Sequence, residues 1–190
     1  MLKHIKPALL LFVFMTLLTG AIYPLAVTGI AQLIFPNQAN GSLLSENGKV
    51  QGSALIGQAF TKPEYFWSRP SATSPFPYNA KASSGSNLAL SNPAFLDVIK
   101  SRIAVLKAAD PKNEMPIPID LLTASGSGLD PHISIAAANY QLKRVAKARH
   151  LKPEIVQELV KQYTEHHSIA VLGSEGVNVL RLNLALNQLQ

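Results

Sequence analysis

The chain has 190 residues, 47% of them hydrophobic and 15% charged, with a formal net charge of +6 and no cysteine. That length holds one globular domain plus an appendage, and the apolar excess implies that some residues face lipid. Without cysteine there are no disulfides, thiolate zinc sites or cysteine nucleophiles; the positive balance points to anionic partners such as nucleic acid or lipid.

From Pro7 through Ser45 no residue is charged, and residues 8–35 are almost wholly apolar. A helix needs about 20 residues to cross a hydrocarbon core of about 30 Å, so this stretch predicts a single transmembrane anchor. Lys3 and Lys6, with His4, stand just before it. The positive-inside bias keeps that end in the cytoplasm and puts everything after Phe35 outside, where nucleic acid is not an expected partner. A cleaved signal peptide ending near Thr19-Gly20-Ala21 is the competing reading. The apolar run continues well past that point, however, and Ala-x-Ala spacing is poor there. Pro24 and Gly29 either mark packing against other helices or kink the anchor harmlessly in lipid.

Residues 1–35 are therefore expected to be the cytoplasmic N-terminus and anchor, and residues 36–190 one compact extracytoplasmic domain. Residues 49–60 ("KVQGSALIGQAF") read as a short strand interrupted by glycines. Residues 65–88 are dense in Pro, Ser and Asn and read as a long loop, with Tyr65, Phe66, Trp67, Phe76 and Tyr78 either pinning it to the core or facing a partner. Ser91 is the expected cap of a helix over 92–109, whose stripe is Phe95, Val98, Ile99, Ile103 and Leu106. Residues 115–122 ("MPIPIDLL") follow as an edge strand or extended segment. Ser134 caps a helix over 135–150, and Pro153 opens another over 154–166. Residues 177–189 mix alternation with helix-forming residues and are assigned to a helix, with Asn178 as its cap. The mix of elements predicts an α+β fold.

Residues 123–134 ("TASGSGLDPHIS") look like chemistry, yet Ser127 lacks the flanking glycines of a hydrolase elbow, and Ser86 fails likewise. Gly52 and Gly57 have phosphate-loop separation, but Gln58 replaces the lysine. Asp130 with His132, and His166 with His167, supply too few convergent groups to predict zinc. Asp130 reads instead as a turn residue feeding a helix N-terminus, and the two histidines as an exposed helix end. Residues 143–152 ("KRVAKARHLK") read as a solvated basic face or a contact for lipid headgroups or an acidic partner.

Taken in order, the basic anchor, "GSALIGQAF", "YFWSRPSAT", "SSGSNL", "DLLTASGSGLDPHIS", "YQLKRVAKAR" and "VNVLRLNLAL" resemble the KdpC family, the C subunit of the bacterial Kdp potassium-transporting ATPase. Ile135-Ala136 and Ser174-Glu175-Gly176 depart from the family's usual residues. The resemblance implies an accessory, non-catalytic subunit of the plasma membrane. Its partners would be a channel-like potassium-translocating subunit, a P-type ATPase subunit and a very small membrane subunit. It also implies a catalytic chaperone that raises ATP affinity in a transient ternary complex, with Gln141 as the nucleotide contact. Asp130, His132 and Ser127 are further candidates for partner or nucleotide contact, and Trp67, Arg69 and Asn87 for an interface; no metal site and no tightly bound cofactor are expected. An outer-face position conflicts with a direct contact to cytoplasmic ATP, which favours an indirect effect. A membrane-anchored hydrolase using Ser127, His132 and Asp130, or a lone lipid-surface protein, are the alternatives.

Overall fold

The computed structural model describes residues 2–46, 48–166 and 173–189, and the chain divides into two units, Met1–Leu43 and Leu44–Gln190. In the first, α1 (Leu2–Leu17), a π-helical turn (Leu18–Ile22) and α2 (Tyr23–Ile34) run on from one another. The stretch Lys3–Ile34 is long and apolar enough to cross a membrane. The π turn has a cause in the sequence. Pro24 donates no hydrogen bond, and its ring crowds the carbonyl four residues back, on Gly20. Just ahead of it, Tyr23 N–H reaches back five residues to the Leu18 carbonyl, which widens the backbone there. A short α3 (Pro36–Ala39) follows, closed by Asn40, whose side-chain amide donates to the Pro36 carbonyl.

The second unit is α+β. Strands β1 (Leu43–Glu46) and β2 (Lys49–Ser53) form a two-stranded sheet. The strand expected over 49–60 stops at Ser53, where the chain turns: Ile56 N–H donates to the Ser53 carbonyl and Leu55 N–H to the Ser53 hydroxyl. No helix or strand follows until α4 (Pro93–Ala109). Asn92, not Ser91, caps α4: its side chain accepts from Ala94 N–H. Of the predicted stripe only Leu106 is buried; Ile99 and Ile103 are partly so, and Val98 is exposed.

Residues 115–122 form no strand. Prolines 116 and 118 withhold ladder donors, and the segment tightens into a 3-10 turn at Ile119–Leu121. Asp120 in that turn accepts from both the backbone N–H and the hydroxyl of Ser134. Ser134 in turn caps α5 (Ile135–Ala148) by accepting from Ala137 N–H. α5 ends with His150 in the left-handed region at φ 56°, so that His150 N–H reaches the Lys147 carbonyl and Leu151 N–H the Ala146 carbonyl. α6 (Pro153–Gln162) is shorter than the predicted 154–166. Its chain leaves the helix at Tyr163 and enters β4 (Thr164–Glu165), drawn out by pairing with β5 (Gly176–Asn178). β3 (His132–Ile133) pairs on the other edge of β5, both pairings being antiparallel. The helix expected from Val177 begins at Val179 instead, as α7 (Val179–Asn187); Val177 belongs to the central strand. The predicted cap stands, with Asn178 accepting from Arg181 N–H.

α5 lies at the centre of the core. Ala137, Ala138, Val145 and Ala146 are buried with Val156 and Val160 of α6, Leu182 and Leu186 of α7, Val177 of β5 and Phe66 of the long loop. Small side chains on α5 let its neighbours approach closely, and burying apolar surface at about 25 cal/mol per Å² holds the unit together.

Candidate functional site

Residues 63–65 turn, with Tyr65 N–H donating to the Lys62 carbonyl, and neither they nor Phe66 and Trp67 belong to a sheet, so most backbone groups of this segment need partners from elsewhere. Side chains supply them. Asn183 of α7 accepts from Phe66 N–H at 2.9 Å and donates to the Phe66 carbonyl at 2.9 Å. Gln141 of α5 accepts from Trp67 N–H at 2.8 Å and donates to the Trp67 carbonyl at 3.1 Å. Arg144 donates to the carbonyls of Pro63 and Tyr65 and to Gln141 Oε1, while its guanidinium lies 4.3 Å from the centroid of the Trp67 ring. Arg149 donates to Glu64 and Leu186 carbonyls and to Asn187, and stacks over Tyr65 at 5.0 Å. Two carboxamides thus imitate a neighbouring strand, and two guanidinium groups fix the chain ahead of it.

This arrangement corrects the reading of residues 143–152 as a solvated face. Lys143 and Lys147 are exposed, but Arg144 and Arg149 are buried at 7% exposure each. Burial lowers the Arg144 pKa to about 10, so the guanidinium stays charged at neutral pH. Gln141 is 1% exposed, and its second amide hydrogen is directed to the Ala137 carbonyl. Both ends of its amide are used inside the protein.

The motif at residues 123–134 meets the Ser/Gly-rich part of the long loop. Ser84 N–H and the Ser83 hydroxyl both donate to the Ser127 carbonyl, and the Ser71 hydroxyl donates to the Gly128 carbonyl. Gly128 has φ 68°, a conformation that favours glycine, and packs against Thr73 and the Ser84 carbonyl. Ser127 Oγ accepts from Leu129 N–H, and among the described residues no hydrogen bond joins it to His132. Ser86 and Asn87 are exposed, Asn87 at φ 52°. Of the five aromatics, Phe66 is fully buried and the Tyr78 hydroxyl donates to the Arg69 carbonyl, whereas Phe76 is 56% exposed. Most of the rings pin the loop; Phe76 does not.

A line of charges connects these parts. Arg69 pairs with Asp130 at 3.0 Å; Asp130 lies 3.6 Å from His132 Nδ1; His132 Nε2 lies 3.1 Å from Glu165; and Glu165 pairs with Arg181 at 3.1 Å. Arg69 comes from the long loop, Asp130 from the segment ahead of β3, His132 from β3, Glu165 from β4 and Arg181 from α7, and all but Arg181 border a cavity of about 350 Å³ that also meets Asp120 and Glu175. Glu175 is bonded to His166 at 2.7 Å; His167 lies outside the described residues. Among the described residues no three His, Asp or Glu side chains converge as metal ligands do. Burial would raise the Asp130 pKa, but hydrogen bonds from His132 and the Arg69 charge outweigh it and hold the carboxyl below its usual range. Asp130 and then Glu165 favour the imidazolium and raise the His132 pKa, against the opposing pull of burial. A raised folded-state pKa contributes stability that is complete below the unfolded value, about 6.5, and fades as pH climbs through the folded value. Melting temperatures of wild type and His132→Gln, measured from pH 6 upward, should therefore differ most at the acidic end and converge as pH rises.

Residues 5–188 match the family model described as "KdpC: K+-transporting ATPase, c chain". The chain is similar to the "Potassium-transporting ATPase KdpC subunit" of Methylococcus capsulatus, at 59% identity over all of both chains. Those of Herpetosiphon aurantiacus and Dechloromonas aromatica are 58% and 59% identical, each over at least 96% of both chains.

Proposed function

Because this chain belongs to the KdpC family of K+-transporting ATPase c chains, we propose that it is a non-catalytic accessory subunit, anchored by its N-terminal helix with the folded unit outside the cell membrane. Lys3 and Lys6 ahead of a charge-free run support that orientation. The folded unit caps the external mouth of the channel-like potassium-translocating subunit, where it steadies the assembly or gates potassium access. A P-type ATPase subunit and a very small membrane subunit complete the complex. The chain acts as a chaperone of catalysis without touching nucleotide. The ATP of the transient ternary complex is held by the ATPase subunit, and the gain in its affinity crosses the bilayer as an allosteric coupling, typically about 1–3 kcal/mol.

The observation that carries the indirect mechanism is the Gln141 amide, buried with hydrogen-bond partners at both ends. Contact with a nucleotide would require it to abandon Trp67 and Arg144. Asp130 provides the test. Asp130→Asn removes the charge that Arg69 and His132 face, a half-buried interaction worth about 1 kcal/mol. The variant should co-purify less well with its partner subunits, while the ATP KM and turnover of complexes that do assemble stay close to wild type. Normal assembly with a raised ATP KM would favour direct contact.

A further inference from the structure

α4 is the least embedded helix of the folded unit. Only Leu106 of its 17 residues is buried, while Leu96, Val98 and Val105 are 49%, 37% and 56% exposed. Beside it runs a groove of about 310 Å³ lined by Phe60, Trp67, Pro70, Val105 and Leu121, with Arg102 among them. The Arg102 guanidinium donates to the Leu122 carbonyl, and among the described residues no carboxylate lies within 4.0 Å of it. Burial lowers its pKa.

A half-buried cation with no carboxylate within 4.0 Å among the described residues sets a requirement on whatever covers the groove. An apolar occupant would strip the remaining water from Arg102 and leave the charge uncompensated, which is costly. An occupant that also brings a carboxylate turns that cost into a charge-assisted hydrogen bond. The other cations of α4 argue against an anionic membrane surface. At 100° per residue, Val98, Arg102 and Val105 share the groove side, while Lys100 and Lys107 fall on the far side of the helix. Headgroup binding gathers basic residues on one face, and here they are divided.

We propose that this groove is a docking site for a segment of another subunit of the ATPase complex, in which a bulky apolar side chain enters between Trp67 and Val105 and an adjacent Asp or Glu pairs with Arg102. The apolar residue supplies affinity and the carboxylate fixes its register, with Trp67 and Arg102 being of the residue types that dominate such interfaces. The inference rests on membership of a multi-subunit complex and is independent of which side of the membrane the unit occupies.

The test uses the full chain co-expressed with its partner subunits and purified as the complex. Val105→Asp, at an exposed position, should leave the melting temperature of the chain unchanged yet lower its retention in the complex about tenfold, a typical loss for a central contact. Arg102→Lys then places an amine where carbodiimide can join it to a carboxylate in contact. Mass spectrometry should find residue 102 linked to an Asp or Glu beside a large apolar residue of another subunit. Unchanged retention of Val105→Asp overturns the groove as a docking site. Lost retention with residue 102 linked only to a second copy, to a lipid carboxylate or to nothing overturns the acidic-apolar occupant.

Discussion

Replacing Gln141 with leucine is expected to lower the melting temperature of the full chain by on the order of 10 °C. Leucine is apolar and one heavy atom smaller, so most of the packing volume is kept while the amide is lost. Its removal leaves the N–H and carbonyl of half-buried Trp67 without their partner and costs the Arg144 guanidinium one of its bonds. Each orphaned group costs about 1–3 kcal/mol, and a total of about 3–5 kcal/mol is expected because Arg144 keeps its bonds to Pro63 and Tyr65. Trp67 is the single tryptophan of the chain, so its fluorescence follows the melting directly at the site. A nucleotide-contact role makes the opposite forecast: Gln141→Leu melts like wild type and raises the ATP KM of the complex.

Gly128→Ala is expected to destabilise the folded unit by about 2–5 kcal/mol, from left-handed strain together with overpacking. At φ 68° any L side chain is strained, and the added Cβ would stand 2.6 Å from the Thr73 methyl and 2.7 Å from the Ser84 carbonyl. Thr73 cannot easily retreat, because its hydroxyl donates to the Phe76 carbonyl and accepts from Asn79 N–H. Gly126, two residues away in the same motif, has nothing within 4 Å of its would-be Cβ. Gly126→Ala should accordingly stay within about 0.5 kcal/mol of wild type. Chemical denaturation of the two variants side by side measures the difference. Equal stability would mean that the two Ser/Gly-rich segments are not locked together at Gly128.

Helix starts were the most legible part of this chain, because a cap is a local event. Ser134 and Asn178 cap the helices that their positions predict. Asn92 displaces Ser91 by one residue, within the ordinary scatter of helix ends. Strands were poorly legible for the opposite reason. β3, β4 and β5 are two or three residues long, too short for a period-two pattern, and exist only through pairing with one another: His132 of β3 meets Asn178 and Thr164 of β4 meets Val177. Prolines 116 and 118 carried enough signal to argue against a strand over 115–122.

The site divides in the same way. Asp130, His132 and Arg69, singled out separately, come together in one line of charges, yet nothing in their spacing revealed Glu165 and Arg181 as its continuation. The clamp was hidden altogether. Arg144 lies in a run that reads as basic and solvated, and its partners at Pro63 and Tyr65 are some 80 positions upstream. Asn183, 117 positions from Phe66, sits in a leucine-rich helix where a buried amide would be unexpected unless a backbone needed it.

The side of the membrane on which the folded unit lies decides most between direct and indirect action on ATP. The chain has no cysteine, so Ser86→Cys, exposed at the surface of the long loop, gives a single labelling point. In intact cells a membrane-impermeant maleimide should modify residue 86 as fully as it does after permeabilisation. Modification only after permeabilisation would put the folded unit in the cytoplasm and contradict its role as a cap at the outer mouth.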